Sequence, residues 1–313
     1  MNIDKVRKDS YISIINYKFC AIFLVTWSVL TTSRIIFGEP IVCYGNVQVP
    51  PSDSVSTTFC YMSGTYTDSM NDHEKKEHYY YQFLPIVLLL MSLGYYVPRC
   101  FWVFAENNVF SEIVQDLQAR LLDRDKKEEQ LKKLATFLKH KKGEHKTLFL
   151  WHIISQLLYI SNILGQFFHL NLLFSGDFLL YGYKKNMNEV FPKKTSCDLS
   201  HYGYSGHEEL NSLTCYLPLN TLYDKLFLVI WYMMSVSGIL LVINLLYTVM
   251  YITFPPFRYF ILKQKVGKKV HKNEILRVIT GLDFFSEVSE CFFIEMISQN
   301  LSNDTVSELF HMI

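Results

Sequence analysis

The side chains best able to do chemistry in this chain are its cysteines, of which there are seven. Cys43 and Cys60 fall in one polar segment, Cys197 and Cys215 fall in another, and Cys20, Cys100 and Cys291 stand apart. Even sets confined to segments on an oxidising face read as disulfides. Four cysteines allow three pairings. Cys43 closely follows the first apolar run and Cys215 closely precedes the fourth, so both lie near the membrane, whereas Cys60 and Cys197 lie deeper in their segments. A bridge needs Cα atoms about 4.4–6.8 Å apart, which favours Cys43–Cys215 with Cys60–Cys197. Pairing within each segment is the alternative. Zinc is a weak competitor, since no C-x2-C spacing occurs and His73, His78, His201 and His207 are loosely spaced. No nucleophile motif, glycine-rich phosphate loop, HExxH or paired acid cluster appears. The expectation is a protein that is not an enzyme, with no metal and no cofactor.

The elements that must position these cysteines are membrane spans. Half of the 313 residues are hydrophobic, and apolar runs occupy 19–37, 84–104, 148–174 and 226–254. Each approaches or exceeds the roughly 20 residues that cross a bilayer as helix. In lipid the backbone must satisfy itself internally, which makes helices the expected form. The first run follows four basic residues, as a secretory signal does. It is longer than a typical signal core and lacks a small-residue cleavage site, so it reads as an uncleaved span.

Charge orients the spans. Segments 1–18, 105–147 and 255–313 carry 4, 10 and 7 Lys/Arg, while 38–83 and 175–225 carry 2 and 5. The positive-inside rule therefore puts both termini and the middle segment in the cytoplasm, and leaves 38–83 and 175–225 as outer loops. The sequons at Asn300 and Asn303 then face the cytoplasm, away from glycosylation. A net charge of +1 gives no sign of a nucleic-acid partner, whereas five lysines between 263 and 272 suit anionic membrane lipid. Segment 105–147 reads as helical, with Phe110, Ile113, Leu117 and Leu121, then Leu131, Leu134 and Leu138, at helical spacing.

Within the spans, Thr26, Ser28, Thr31, Thr32, Ser33 and Arg34 give the first a hydroxyl-rich end. Such residues suit a water-facing stripe and tight helix packing equally. Arg34 either snorkels to headgroups or stands at an outer pore mouth, where it would disfavour cations. The six acidic residues of 38–83 would act in the opposite sense. Pro85 sits in the first turn of the second span at little cost, and Pro98 is expected to kink or end it. In the third span His152, Gln156, Tyr159, Asn162, Gln166 and His169 share one face, suited to hydrogen bonds between helices.

Two stretches join the cysteine loops to spans: Tyr80-Tyr81-Gln82-Phe83-Leu84-Pro85, and Phe191-Pro192 with Cys197-Asp198 and Cys215-Tyr216-Leu217-Pro218-Leu219-Asn220. With Asn16-Tyr17-Lys18-Phe19, Gly38-Glu39-Pro40-Ile41 and Leu282-Asp283-Phe284-Phe285, they resemble the innexins, the invertebrate gap-junction channel proteins. The likeness runs from about residue 15 onward. It departs in Phe83, where Trp is usual after Tyr80, Tyr81 and Gln82, in Tyr44 after Cys43, and in a short segment before the first span. The resemblance implies an all-α membrane protein with four transmembrane helices, two disulfide-braced extracellular loops and a helical cytoplasmic region. It also implies a pore lined by the N-terminus and first span, which makes Asn2, Asp4, Thr26, Thr31 and Arg34 candidates. Pro85 and Pro98 become candidate gating hinges. The implied partners are copies of itself in a large ring such as an octamer, related innexins, and an opposing hemichannel met through the outer loops. The implied location is the plasma membrane at cell junctions, with passive flow of ions and small molecules. A four-span adhesion or scaffolding protein without a pore is the alternative function.

Overall fold

The computed structural model describes residues 7–45, 53–68, 75–107, 112–113, 124–140, 145–183, 190–202, 205–266 and 283–312. Four helices are long and apolar enough to cross a membrane: α1 (Tyr11–Phe37), α3 (Tyr80–Glu106), α5 (Lys146–Leu173) and α6 (Pro218–Thr253). Further helices among the described residues are α2 (Asp53–Ser63), α4 (Arg124–His140), α7 (Pro255–Val266), α8 (Phe284–Ser298) and α9 (Asn303–Met312). Local sequence sets several boundaries. Ser10 caps α1 by accepting from the Ser13 amide at 3.1 Å. A π-helical stretch, Ile15–Cys20, interrupts α1 before it continues as α-helix from Ala21. Pro218 occupies the first position of α6, where a missing N–H costs nothing.

Two compact units divide the chain. One comprises 18–95 and 162–238 and holds a five-stranded sheet of order β1-β5-β4-β2-β3. Its strands are β1 (Val42–Tyr44), β2 (Thr65–Asp68), β3 (Lys75–His78), β4 (Lys194–Tyr202) and β5 (Glu208–Tyr216). All pairings are antiparallel. The first three strands come from the first loop and the last two from the second, so the loops form a single body. Sequence reading did not carry this sheet, yet its alternation is regular. Thr195, Cys197 and Leu199 of β4 and Leu213 and Cys215 of β5 are buried while their neighbours are not. Beneath it lies an aromatic cluster of Tyr80, Phe174, Phe178, Phe191, Tyr223 and Phe227, with ring centroids such as Phe174–Phe227 5.1 Å apart. Gly182 packs separately against Trp231, where a Cβ would stand 2.3 Å from the ring.

The other unit comprises 1–17, 96–161 and 239–313. Leu131, Leu134 and Leu138 of α4 join Val288, Cys291, Phe293 and Ile297 of α8 and Leu309 of α9 in its core. The leucine spacing read in segment 105–147 therefore marks the buried face of α4. Its partners Phe110, Leu117 and Leu121 lie outside the described residues. Burial pushes the Cys291 thiol up to about 12, which leaves it unreactive. Arg258 is only 1% exposed. Its guanidinium donates to the carbonyls of Tyr251 (3.1 Å) and Ile252 (2.7 Å), which the end of α6 leaves without helical donors, and to Glu287 of α8 at 3.0 Å.

Removing this cation leaves helix-end carbonyls and Glu287 unpaired. Arg258→Ala is expected to destabilise this unit by about 2–4 kcal/mol. Heating the detergent-solubilised protein while following alkylation of the buried Cys291 measures it: the variant should be labelled at lower temperature, and an unchanged midpoint contradicts the assignment.

Candidate functional site

The structure joins Cys43 to Cys215 and Cys60 to Cys197. Cys43 and Cys215 face each other in the β1–β5 register, and Cys60 on α2 reaches Cys197 on β4. Both bonds therefore run between loops. They also lie side by side, with the sulfurs of Cys43, Cys60 and Cys215 all within 4.8 Å of one another. All four cysteines are 2% exposed or less. As disulfides these sulfurs are not thiolates, so the cluster is a brace rather than a metal centre.

The residues at Tyr80–Phe83 explain themselves in this setting. Helix α2 ends at Ser63 with carbonyls lacking helical donors. The Gln82 carboxamide donates to Tyr61 (2.5 Å) and Met62 (3.3 Å), and the Tyr81 hydroxyl donates to Cys60 at 3.5 Å. Gly64, at φ +90°, turns the chain out of the helix. Tyr80 looks the other way. Its hydroxyl accepts from Asn220, whose amide also donates to the Pro192 carbonyl at 2.6 Å. One short element thus caps the cysteine-bearing helix of the first loop and grips the root of the second. Phe83 packs less and is 54% exposed.

A polar cluster ties the sheet from the other face. Asp198 on β4 accepts from Ser212 (2.6 Å), Tyr66 (2.8 Å) and Lys75 (3.1 Å). The Ser212 hydrogen bond leads in holding its carboxyl below the usual range. His78 is buried against Thr67 at 2.9 Å, and burial, then the Lys76 charge, lowers its pKa to about 4. It stays neutral at physiological pH.

The pore candidates separate by burial. Thr26 and Arg34 are exposed on α1. Thr31 is fully buried and donates to the carbonyls of Trp27 (2.8 Å) and Ser28 (3.1 Å), so it faces protein rather than water. Ser28 donates to the Pro85 carbonyl at 2.7 Å, which fastens the second turn of α3 to α1; because α3 already starts at Tyr80, Pro85 lies beyond the first turn expected for it. Asn2 and Asp4 lie outside the described residues. Helix α3 does not end at Pro98; it continues to Glu106. The proline removes the donor to the Gly94 carbonyl, and polar side chains of α5 gather there: the Gln166 carboxamide donates to Met91 at 3.2 Å and lies against Gly94. Elsewhere on α5, Gln156 accepts from Thr248 at 3.0 Å. The polar face of the third span is thus used in contacts between helices.

Sequence reading passed over the groups that hold residues 8 and 9. Lys8 pairs with Glu106 at 2.6 Å, with side chains 11% and 0% exposed. Asp9 pairs with Arg99 and accepts from the Tyr17 hydroxyl at 3.1 Å, and Trp102 donates to the Lys8 carbonyl at 3.1 Å. Opposite charges before the first span and in the second were the available signal.

Four apolar helices, a two-loop sheet and paired inter-loop disulfides define a four-span membrane protein with a braced cap. The sequence model of the innexin family matches residues 9–313, and the chain belongs to this family of gap-junction channel proteins. It is 24% identical to innexin shaking-B of Drosophila melanogaster, over 98% of this chain and 89% of that protein. Innexin inx2 of the same fly is 26% identical over 85% of this chain and 80% of its own length. Innexin inx1 is 27% identical over 97% and 92% respectively.

The adjacency of the two bonds makes their loss unequal. Cys197→Ser frees a Cys60 thiol beside the Cys43–Cys215 bond; the thiolate attacks one sulfur and the other leaves as thiolate. The double variant Cys60→Ser/Cys197→Ser loses the bond, worth about 2–4 kcal/mol, without this exchange. Non-reducing peptide maps should show Cys60 bonded to Cys43 or Cys215 in the single variant, with lower surface delivery than the double. An intact Cys43–Cys215 bond and equal delivery in both contradict it.

Proposed function

We propose that copies of this chain assemble into a ring, an octamer, around a water-filled pore that passes ions and small molecules passively. Related innexins are candidate co-subunits. In the proposed orientation both termini are cytoplasmic and the sheet faces outward, where rings of two cells dock end to end at the plasma membrane. The distribution of Lys and Arg supports this orientation. So do disulfides gathered in one unit, which fit the oxidising side. Bilayer crossings at 19–37, 84–104, 148–174 and 226–254 follow from it, with anionic lipid beside the lysines of the tail.

The observation that carries the reading is the uncovered face of α1. Only 28% of its apolar window is buried. Thr26, Thr32, Ser33 and Arg34 are all exposed, and Arg34 has no ion pair among the described residues. Charged groups in spans turn toward water or partners rather than lipid. A neighbouring copy and a wet pore satisfy such a face. Thr26 and Arg34 are then wall residues, and Thr31 supports them from behind. Pro85 and Pro98 remain the proposed hinges, and Asn2 and Asp4 the proposed N-terminal lining. A wide pore needs no ion ligands, only a wetted wall and a charge bias.

Uptake of small charged dyes and whole-cell current in unpaired expressing cells test this. Expression should raise both, and Arg34→Glu should shift preference from anionic to cationic dye by several-fold. Surface-delivered protein that raises neither supports instead an adhesion or scaffolding role without a pore.

A further inference from the structure

Residue 7 is held from an element the channel reading leaves without a role. The Arg7 amide donates to Asn300 Oδ1 at 2.7 Å, and Asn300 Nδ2 donates back to the Arg7 carbonyl at 2.9 Å. These two bonds close a ring between a side-chain carboxamide and one peptide unit, across a sequence separation of 293 residues. The carboxamide is itself fixed, because Nδ2 also donates to the Met296 carbonyl at 3.1 Å and the Asn300 amide donates to Ile297 at 3.0 Å. Asn300 thus stands rigidly just beyond the end of α8. Only a side chain with both a donor and an acceptor at this length can grip a backbone in this way. Aspartate lacks the donor.

We propose that Asn300 is a positioning residue that clasps the chain just ahead of α1 to the tail and so couples α8 to the start of the first span. The proposal rests on the channel reading, in which α1 lines the conduit. Three consecutive residues are anchored on two different elements. Lys8 and Asp9 are tied to α3 through Glu106, Arg99 and Trp102, and Arg7 is tied to the end of α8. With all three held, the start of α1 is fixed to both α3 and the tail. Releasing Arg7 removes the link to the tail and leaves only the ties to α3. A shift of α8 would reach the start of α1 through this contact. The contact reads backbone, so it tolerates change of the Arg7 side chain but not of Asn300. It also explains why the sequon at Asn300 is already engaged.

The test uses the full-length chain in excised membrane patches. Asn300→Ala removes both bonds and should change the open-to-closed ratio roughly tenfold, with surface delivery unchanged. Arg7→Cys combined with Asn300→Cys replaces the clasp with a bond that oxidation forms and reductant opens. Oxidised, it should gate as the unmodified protein does; reduced, it should match Asn300→Ala. Gating of Asn300→Ala like the unmodified protein, or a bridge that forms without restoring it, overturns the proposal. Bridge formation is also read on gels after proteolysis, without current. Efficient bridging supports the contact, and its failure under oxidation overturns it. Absence of current in the unmodified chain would sink the channel reading alone, since the gel still judges the clasp.

Discussion

The loop that follows the first span and the loop that precedes the fourth are obliged to be one object. Neither could fold alone: the first contributes a short helix and three short strands, the second a hairpin of nine paired positions. Short strands with little apolar surface bury too little to offset the entropy of ordering them. Disulfides from Cys43 to Cys215 and from Cys60 to Cys197 remove that freedom from the unfolded chain and make the sheet continuous across loops. Once the sheet is continuous, the helix ends rooted in it are held as well. Tyr80 and Asn220 bind the beginnings of α3 and α6 to one another, and Tyr81 and Gln82 close the end of α2. The sulfur bonds and the Tyr80–Gln82 element act together on the same few turns of chain.

What the sequence disclosed and what it hid follow from the range of the interactions involved. Spans are read from a local excess of apolar residues, and cysteine pairs from their position, because both signals are carried by the residues themselves. The sheet was hidden because its inward positions in β4 are Thr195, Cys197 and Leu199, two of which do not register as strongly apolar. The role of Tyr80 to Gln82 was visible only as a resemblance, since its hydrogen bonds go to carbonyls whose positions depend on α2. Thr31 looked like Thr26 in a hydroxyl-rich stretch; burial separates them, and burial is set by neighbouring helices. Of the two outcomes open for Pro98, a kink or an end, α3 excludes the end by running on to Glu106, since helix neighbours can accommodate a missing donor inside a membrane protein. The ion pairs of Lys8 and Asp9 join charges far apart in sequence, which no periodicity reveals.

Function then follows from what a single copy leaves unsatisfied. The cap buries its disulfides and pairs the Asp198 carboxylate from both loops. The spans are not complete, for each exposes most of its apolar window. Lipid can cover apolar side chains, but it serves the Arg34 cation poorly. The proposed ring of copies would cover such an α1.

The direct measurement is a set of single-particle images of the purified assembly, viewed along the membrane normal. The account predicts a closed ring of repeated copies around a central opening, with α1 of every copy turned toward it. Particles containing a single copy, or a ring whose α1 helices all face lipid, would contradict it.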